Sequence, residues 1–174
     1  FSPDLDERAA VAKRIGAACR EVGFFCVANH GVDPALQQAV FELARAFFSQ
    51  PEAGKRALDK VFSNANRGYE PLRGQVLEAG APADLKEGFY IGEELAEDDP
   101  RVLAGRFNHG ANQWPSELAE FRPTMERYRD AMNALANRLM GAIALSLQLP
   151  EDHFAGFCRD SMSTLRLLHY PPQP

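Results

Sequence analysis

Arg166 and Tyr170, four positions apart near the end of the chain, are the pair whose types and spacing point most directly to binding chemistry. They lie in Ser163-Thr164-Leu165-Arg166-Leu167-Leu168-His169-Tyr170-Pro171-Pro172, which reads as a strand ended by prolines. Side chains alternate along a strand, so Arg166, Leu168 and Tyr170 share one face and Leu165, Leu167 and His169 the other. A cation and a phenol on one face suit a carboxylate ligand. The four histidines, His30, His109, His153 and His169, form no His-x-Asp, His-x-x-x-His or His-Glu-x-x-His pattern, so spacing assigns no metal ligand and no catalytic residue. Nor is there a Gly-x-Ser-x-Gly elbow, a Walker loop or a dinucleotide fingerprint, which leaves hydrolysis, phosphate cradling and Rossmann chemistry without support. Cys19, Cys26 and Cys158 are odd in number, sit within apolar patterns and lack zinc-ligand spacing, as expected of reduced thiols in a cytoplasmic protein.

The elements that must position these groups are mostly helical. With 174 residues and 45% hydrophobic content, the chain is long enough for one domain with a real core, or for a substantial part of a larger protein. Its net charge of -5 is spread over interleaved acids and bases, which gives no footprint for nucleic acid. No stretch approaches a membrane span and no signal-peptide pattern opens the chain, so a soluble, cytoplasmic protein is expected. Val11, Ile15, Ala18 and Val22 trace an amphipathic first helix, closed by Gly23 in a left-handed conformation. The run 24–27, Phe-Phe-Cys-Val, reads as a strand buried on both faces, and His30-Gly31 as a turn in which His30 is a hydrogen-bonded structural group. Asp33-Pro34 starts a second helix that carries Leu36, Val40, Phe41, Leu43, Ala44, Phe47 and Phe48 on one side. Ser49 and Glu52 stand at capping-box spacing for a short third helix.

From 62 to 113 the helical period disappears and glycine and proline punctuate the chain, through Arg67-Gly68-Tyr69-Glu70-Pro71 and Gly80-Ala81-Pro82. Long irregular segments of this kind tend to form binding surfaces, so the substrate side is expected here, with 86–92 as the best candidate strand. Trp114-Pro115 anchors the entry to a long helix, on which Met125, Tyr128, Met132, Leu135, Leu139, Ile143 and Leu147 keep a three-four spacing to Pro150. At 1.5 Å per residue that helix is roughly 35 to 40 Å long. A short helix over 151–157 and the terminal strand, in which His169 packs inward, complete the reading.

Six blocks in fixed order carry a resemblance. The most specific is Gly23-Phe24-Phe25-Cys26-Val27-Ala28-Asn29-His30-Gly31-Val32. It is followed by Phe47-Phe48 with Pro51 and Lys55, then Arg67-Gly68-Tyr69, Asp84-Leu85-Lys86-Glu87-Gly88-Phe89, Asn112-Gln113-Trp114-Pro115, and Leu165 to Pro172. Together they resemble the isopenicillin N synthase-like Fe(II)/2-oxoglutarate oxygenases. The resemblance implies an α+β fold, the helix-rich N-terminal portion of a double-stranded β-helix (jelly-roll) oxygenase with one long central helix and a few strands. It also implies a single domain over 1–174, with strand 163–170 leading into a C-terminal barrel that the chain lacks. The iron-binding His-x-Asp of the family would lie beyond Tyr-Pro-Pro, so no ligand is in hand. Fe(II), 2-oxoglutarate, O2 and a small-molecule substrate are implied as cofactors and partners, without membrane or nucleic acid. Tyr170 matches the tyrosine that binds the co-substrate carboxylate, and Arg166 a position that reaches co-substrate or substrate. Asn66, Arg67, Tyr69 and Phe89 match the region of substrate contacts. Leu168 replaces the usual Asn between Arg166 and Tyr170, which keeps open a family oxidase that does not use 2-oxoglutarate. A metal-free binding module remains a further alternative, should the protein end at residue 174.

Overall fold

Asp4 opens the first helix with a short side chain that reaches bare amides. In the computed structural model, which describes residues 2–75, 80 and 82–172, its carboxylate accepts from the amides of Asp6 at 2.8 Å and Glu7 at 3.4 Å. Ala81, named above in a turn, and Gln173 and Pro174 lie outside the described residues. Two compact units are present: Phe1–Pro34 with Arg129–Ser161, and Ala35–Tyr128 with Met162–Pro174.

In the first unit, α1 (Leu5–Glu21) ends as expected, with the amides of Val22 and Gly23 both reaching the Ala18 carbonyl and Gly23 at φ 90°. Its buried line is Ala12, Ile15 and Gly16, whereas Val11 and Val22 are exposed, so the expected stripe is displaced. The reason is size. A Cβ at Gly16 would stand 3.0 Å from Ser146 Cβ, so the small residues occupy the close approach and the bulkier valines turn outward. The buried strand expected over 24–27 does not form. Phe24 is 75% exposed, Cys26 and Val27 are exposed, and no strand is assigned. An extended run becomes a strand only beside a partner that takes its backbone groups, and among the described residues the sole sheet excludes it. His30 does serve its turn, its Nδ1 accepting from the Val32 amide at 3.1 Å. The long helix α5 (Phe121–Ser146) contributes its later turns to this unit, and the short helix expected over 151–157 contracts to α6 (Ala155–Cys158) after a run of turns.

The second unit holds α2 (Pro34–Phe48) from its second residue on, α3 (Glu52–Arg56), a 3-10 turn (Lys60–Phe62), β1 (Gly68–Glu70), β2 (Glu87–Ile91), α4 (Pro100–Leu103), the opening of α5, and β3 (Leu165–His169). The cap of α3 is Pro51 without a side-chain bond, so the Ser49–Glu52 capping box is not made; Glu52 instead binds Arg56 at 2.8 Å. Pro123 sits inside the first turn of α5, where its missing amide costs no hydrogen bond. At 26 residues that helix is about 39 Å long, although Met132 and Leu147 on the expected stripe are exposed. Of the stretch 62–113, β1 and α4 carried no recognisable period and emerge only in the structure.

The three strands form an antiparallel sheet in the order β1-β2-β3. Val40, Phe47 and Phe48 of α2 pack with Phe121 and Met125 of α5 against Tyr69, Phe89, Ile91 and Leu167 of the sheet. Phe41, placed on the same stripe by the sequence, is exposed. Phe47 is the hub: its ring meets those of Phe48, Tyr69, Phe89 and Phe121 at centroid distances of 4.6 to 6.0 Å. Such pairs add about 0.5–1.5 kcal/mol beyond area burial. Phe47→Ala in the full-length protein is therefore expected to cost about 3–5 kcal/mol, measured by urea unfolding; a loss under about 1 kcal/mol would remove Phe47 from this role.

Candidate functional site

Strand alternation divides the sheet into two faces. Across it, Tyr69, Phe89 and Leu167 are in register and all three belong to the core. The rows between them, Gly68–Tyr90–Arg166 and Glu70–Gly88–Leu168, point to the opposite face, which is buried at β1 and open at β3, where Arg166 and Leu168 are exposed.

The covered face carries one buried ionic group. Glu87 stands opposite His169 in the ladder, and both its oxygens are engaged. Oε2 accepts from Lys55 Nζ at 2.6 Å and from the Tyr69 hydroxyl at 2.5 Å, and Oε1 lies 2.7 Å from His169 Nδ1. Lys55 also reaches the Phe48 carbonyl at 3.3 Å, and the His169 ring stacks on Phe48 at 5.2 Å. Burial pushes the Glu87 carboxyl up, but the bonds from Lys55, Tyr69 and His169 outweigh it and hold the group below its ordinary value. The Tyr69 phenol is raised well above its ordinary range, first by burial and then by Glu87.

The open face carries a second charged group. Tyr90 donates to Glu70 Oε2 at 2.7 Å, and Lys60 takes the other Glu70 oxygen. Lys60 Nζ and the Arg166 guanidinium both lie near the Tyr90 ring, 5.0 and 5.1 Å from its centroid. Glu70 is buried; desolvation raises its carboxyl, and Lys60 and Tyr90 more than reverse that. Burial and the bond to Glu70 push the Tyr90 phenol up to about 12, so it stays a neutral donor at physiological pH. Arg166 is exposed and, among the described residues, makes no ion pair with a carboxylate. Tyr170 follows the last residue of β3 and is 65% exposed.

Arg166 and Leu168 are thus brought to one face, and Tyr170 follows just beyond the strand, exposed. The other sequence-derived residues are placed apart from them. Tyr69 and Phe89 are fully buried in the core on the covered face. Arg67 is buried as well, its Nη2 donating to the Asn108 carbonyl at 2.7 Å. A Cβ at Gly92 would run into that guanidinium, so only glycine fits there. Asn66 is exposed, in a left-handed conformation at φ 60°. Sequence reasoning missed Tyr90, Glu70 and Lys60. Alternation along 86–92 would have placed Tyr90 opposite Phe89; nothing in the local sequence pairs Lys60 with Glu70. Among the described residues, no group of three or more His, Cys, Asp or Glu could hold a metal ion, so these residues do not fit an iron centre. Nor, among them, is any helix long and apolar enough to cross a membrane.

This helix-covered antiparallel sheet is shared with solved 2-oxoglutarate-Fe(II) oxygenases over about half of their length. Residues 1–117 match the family described as non-haem dioxygenase in morphine synthesis N-terminal, and the chain belongs to that family. It is 40% identical over 181 residues to the 2-oxoglutarate-Fe(II) type oxidoreductase hxnY of Emericella nidulans, covering all of this chain and 52% of that protein. It is 42% identical over 177 residues to the 2-oxoglutarate-dependent dioxygenase citB of Monascus ruber, covering 99% and 53%. Among solved structures, a 2OG-Fe(II) oxygenase family protein from Caulobacter crescentus superposes with a TM-score of 0.84 at 30% identity, over 98% of this chain and 54% of that one. A full-length Neurospora crassa protein in complex with alpha-KG gives 0.80 at 30% identity, over 98% and 51%. The chain spans about half the length of the curated relatives it matches.

The depressed Glu87 carboxyl contributes stability that is present above its ordinary value of 4.5 and lost as the pH falls below it. Glu87→Gln is therefore expected to lower the melting temperature at pH 7 and to flatten its decline in acid. Lys55→Met, which leaves the buried carboxylate without its cation, is expected to cost about 3–5 kcal/mol in chemical denaturation.

Proposed function

We propose that the full-length protein is a cytoplasmic non-haem Fe(II)- and 2-oxoglutarate-dependent oxidoreductase that oxidises a small-molecule substrate with O2. In that reaction 2-oxoglutarate loses CO2 and becomes succinate, one oxygen atom of O2 entering succinate and the other serving to oxidise the substrate. Iron supplies the O2 chemistry, and its ligands come from parts of the protein other than the residues described here. Strand β3 leads into the barrel that carries them, and residues 1–174 act with that barrel as one domain.

The observation that carries the reading is the open face itself. Arg166, charged and without a carboxylate partner among the described residues, lies on it four positions before the exposed Tyr170, which the alternation of the strand, carried one residue further, turns to the same side. The guanidinium offers two parallel donors to a carboxylate and the phenol a third, so together they hold one end of 2-oxoglutarate and set its orientation. Asn66 is the exposed member of the substrate-side set. Arg67, Tyr69 and Phe89 act from beneath, by fixing the sheet that carries Arg166. The names and complexes of the relatives, several of them 2-oxoglutarate-dependent, support the same co-substrate.

The full-length protein is expected to form succinate from 2-oxoglutarate only when Fe(II) is supplied. Iron-independent turnover, or none with 2-oxoglutarate shown to be bound, would sink the proposal. Tyr170→Phe removes one hydrogen bond to a charged group and is expected to weaken 2-oxoglutarate binding roughly tenfold, measured as a dissociation constant under anaerobic conditions.

A further inference from the structure

The open face holds more than the two residues assigned to the co-substrate. Tyr90 stands directly opposite Arg166 in the β2–β3 ladder, and the guanidinium rests 5.1 Å from the centre of its ring. The far end of that ring is pinned, because its hydroxyl donates to Glu70 Oε2 at 2.7 Å and Glu70 is itself buried. The second Glu70 oxygen is taken by Lys60. Among the described residues, the carboxylate of this cluster is thus already matched by Lys60 and Tyr90, and Arg166 is held by the Tyr90 ring and hydroxyl in place of an ion pair.

We infer that Tyr90 is a positioning residue whose pinned ring sets the Arg166 guanidinium for the carboxylate of 2-oxoglutarate. This rests on the reading above in which Arg166 meets the co-substrate. An arginine on an open strand has four rotatable bonds to order before it can make a paired contact, and that ordering weakens binding unless it is done beforehand. Contact with a fixed aromatic residue does it beforehand, and the guanidinium donors not turned to the Tyr90 hydroxyl stay available. A carboxylate in the same place would also order the side chain, but it would occupy the donors. The phenol's neutrality at physiological pH keeps the ring from competing as an anion.

The test is the dissociation constant of 2-oxoglutarate, the probe itself, for the full-length Fe(II)-loaded protein without O2, read from the visible absorbance of the iron-bound co-substrate. Melting temperatures are taken alongside. Arg166→Leu is expected to weaken binding roughly tenfold, Tyr90→Leu about three- to tenfold, and Tyr90→Phe, which keeps the ring but releases it from Glu70, by less than Tyr90→Leu. The double variant Tyr90→Leu/Arg166→Leu is expected to bind no more weakly than Arg166→Leu alone, because the ring acts only through the guanidinium. Tyr90→Met, similar in volume but without a π face, takes the place of Tyr90→Leu if that variant does not fold. Unchanged affinity in Tyr90→Leu or Tyr90→Met while Arg166→Leu binds weakly, or additive losses in the double variant, would overturn the inference and leave the Arg166 assignment standing. Unchanged affinity in Arg166→Leu would instead remove that assignment, and the role of Tyr90 with it.

Discussion

The second unit depends on how one buried carboxylate is satisfied. Glu87 is placed by strand register among aromatic rings, where an unpaired charge would be strongly unfavourable. Three donors from three different segments meet it: Lys55 from α3, Tyr69 from β1 and His169 from β3. Each element is thereby fixed to β2 by a contact that hydrophobic packing alone would leave free to slide. Removing the carboxylate would strand a buried lysine; removing the lysine would strand the carboxylate. The arrangement therefore constrains register at least as much as it stabilises, which is the use of buried ionic groups with the best physical rationale.

That constraint explains how the two faces of a three-stranded sheet come to do different things. The covered face is closed by Phe47, Phe48, Phe121 and Met125, so every side chain on it is committed to packing or to Glu87. A shift of the β2–β3 pairing by one residue would carry Arg166 into this core and Leu167 out of it. The bonds that hold His169 to Glu87 at the end of the ladder oppose such a slip. The open face can then carry charge, since Arg166, Tyr90, Glu70 and Lys60 are held there by geometry set on the other side.

Much of this was legible in residue types and spacing. The alternation in β3 placed Arg166 and Leu168 on one face and His169 on the other, because period two depends only on local backbone geometry. The close of α1 and the start of α2 followed from Gly23 and Pro34, whose effects are equally local, whereas the Asp4 cap emerged only in the structure. What was not legible depends on partners distant in sequence. The run 24–27 has every compositional mark of a buried strand, yet neither a ladder partner nor a cover among the described residues. Val11 lost its expected place to Gly16 because the approach at Ser146 selects the smallest side chain, which a hydrophobicity pattern ranks last. Lys55 and Glu87 are 32 positions apart, and no periodicity links such residues.

Leu168 lies between the two residues assigned to the co-substrate. It replaces an amide side chain expected between Arg166 and Tyr170, and at first sight removes a contact to the co-substrate. On the open face it stands opposite Gly88, where a Cβ would lie 3.4 Å from Leu168 Cδ2, so the isobutyl group covers the space that the glycine leaves. The result is an apolar patch between a cation and a phenol. Leu168 and Tyr170 are both exposed, so water reaches this patch and Leu168 adds no hydrogen bond of its own. On the reading proposed above, Leu168 therefore exchanges one neutral hydrogen bond for an apolar group beside Gly88 and leaves the carboxylate to the two donors that flank it. The same exchange makes recognition depend more heavily on how Arg166 and Tyr170 are aimed, which is the task that Tyr90 and the Glu87–His169 contact are placed to perform.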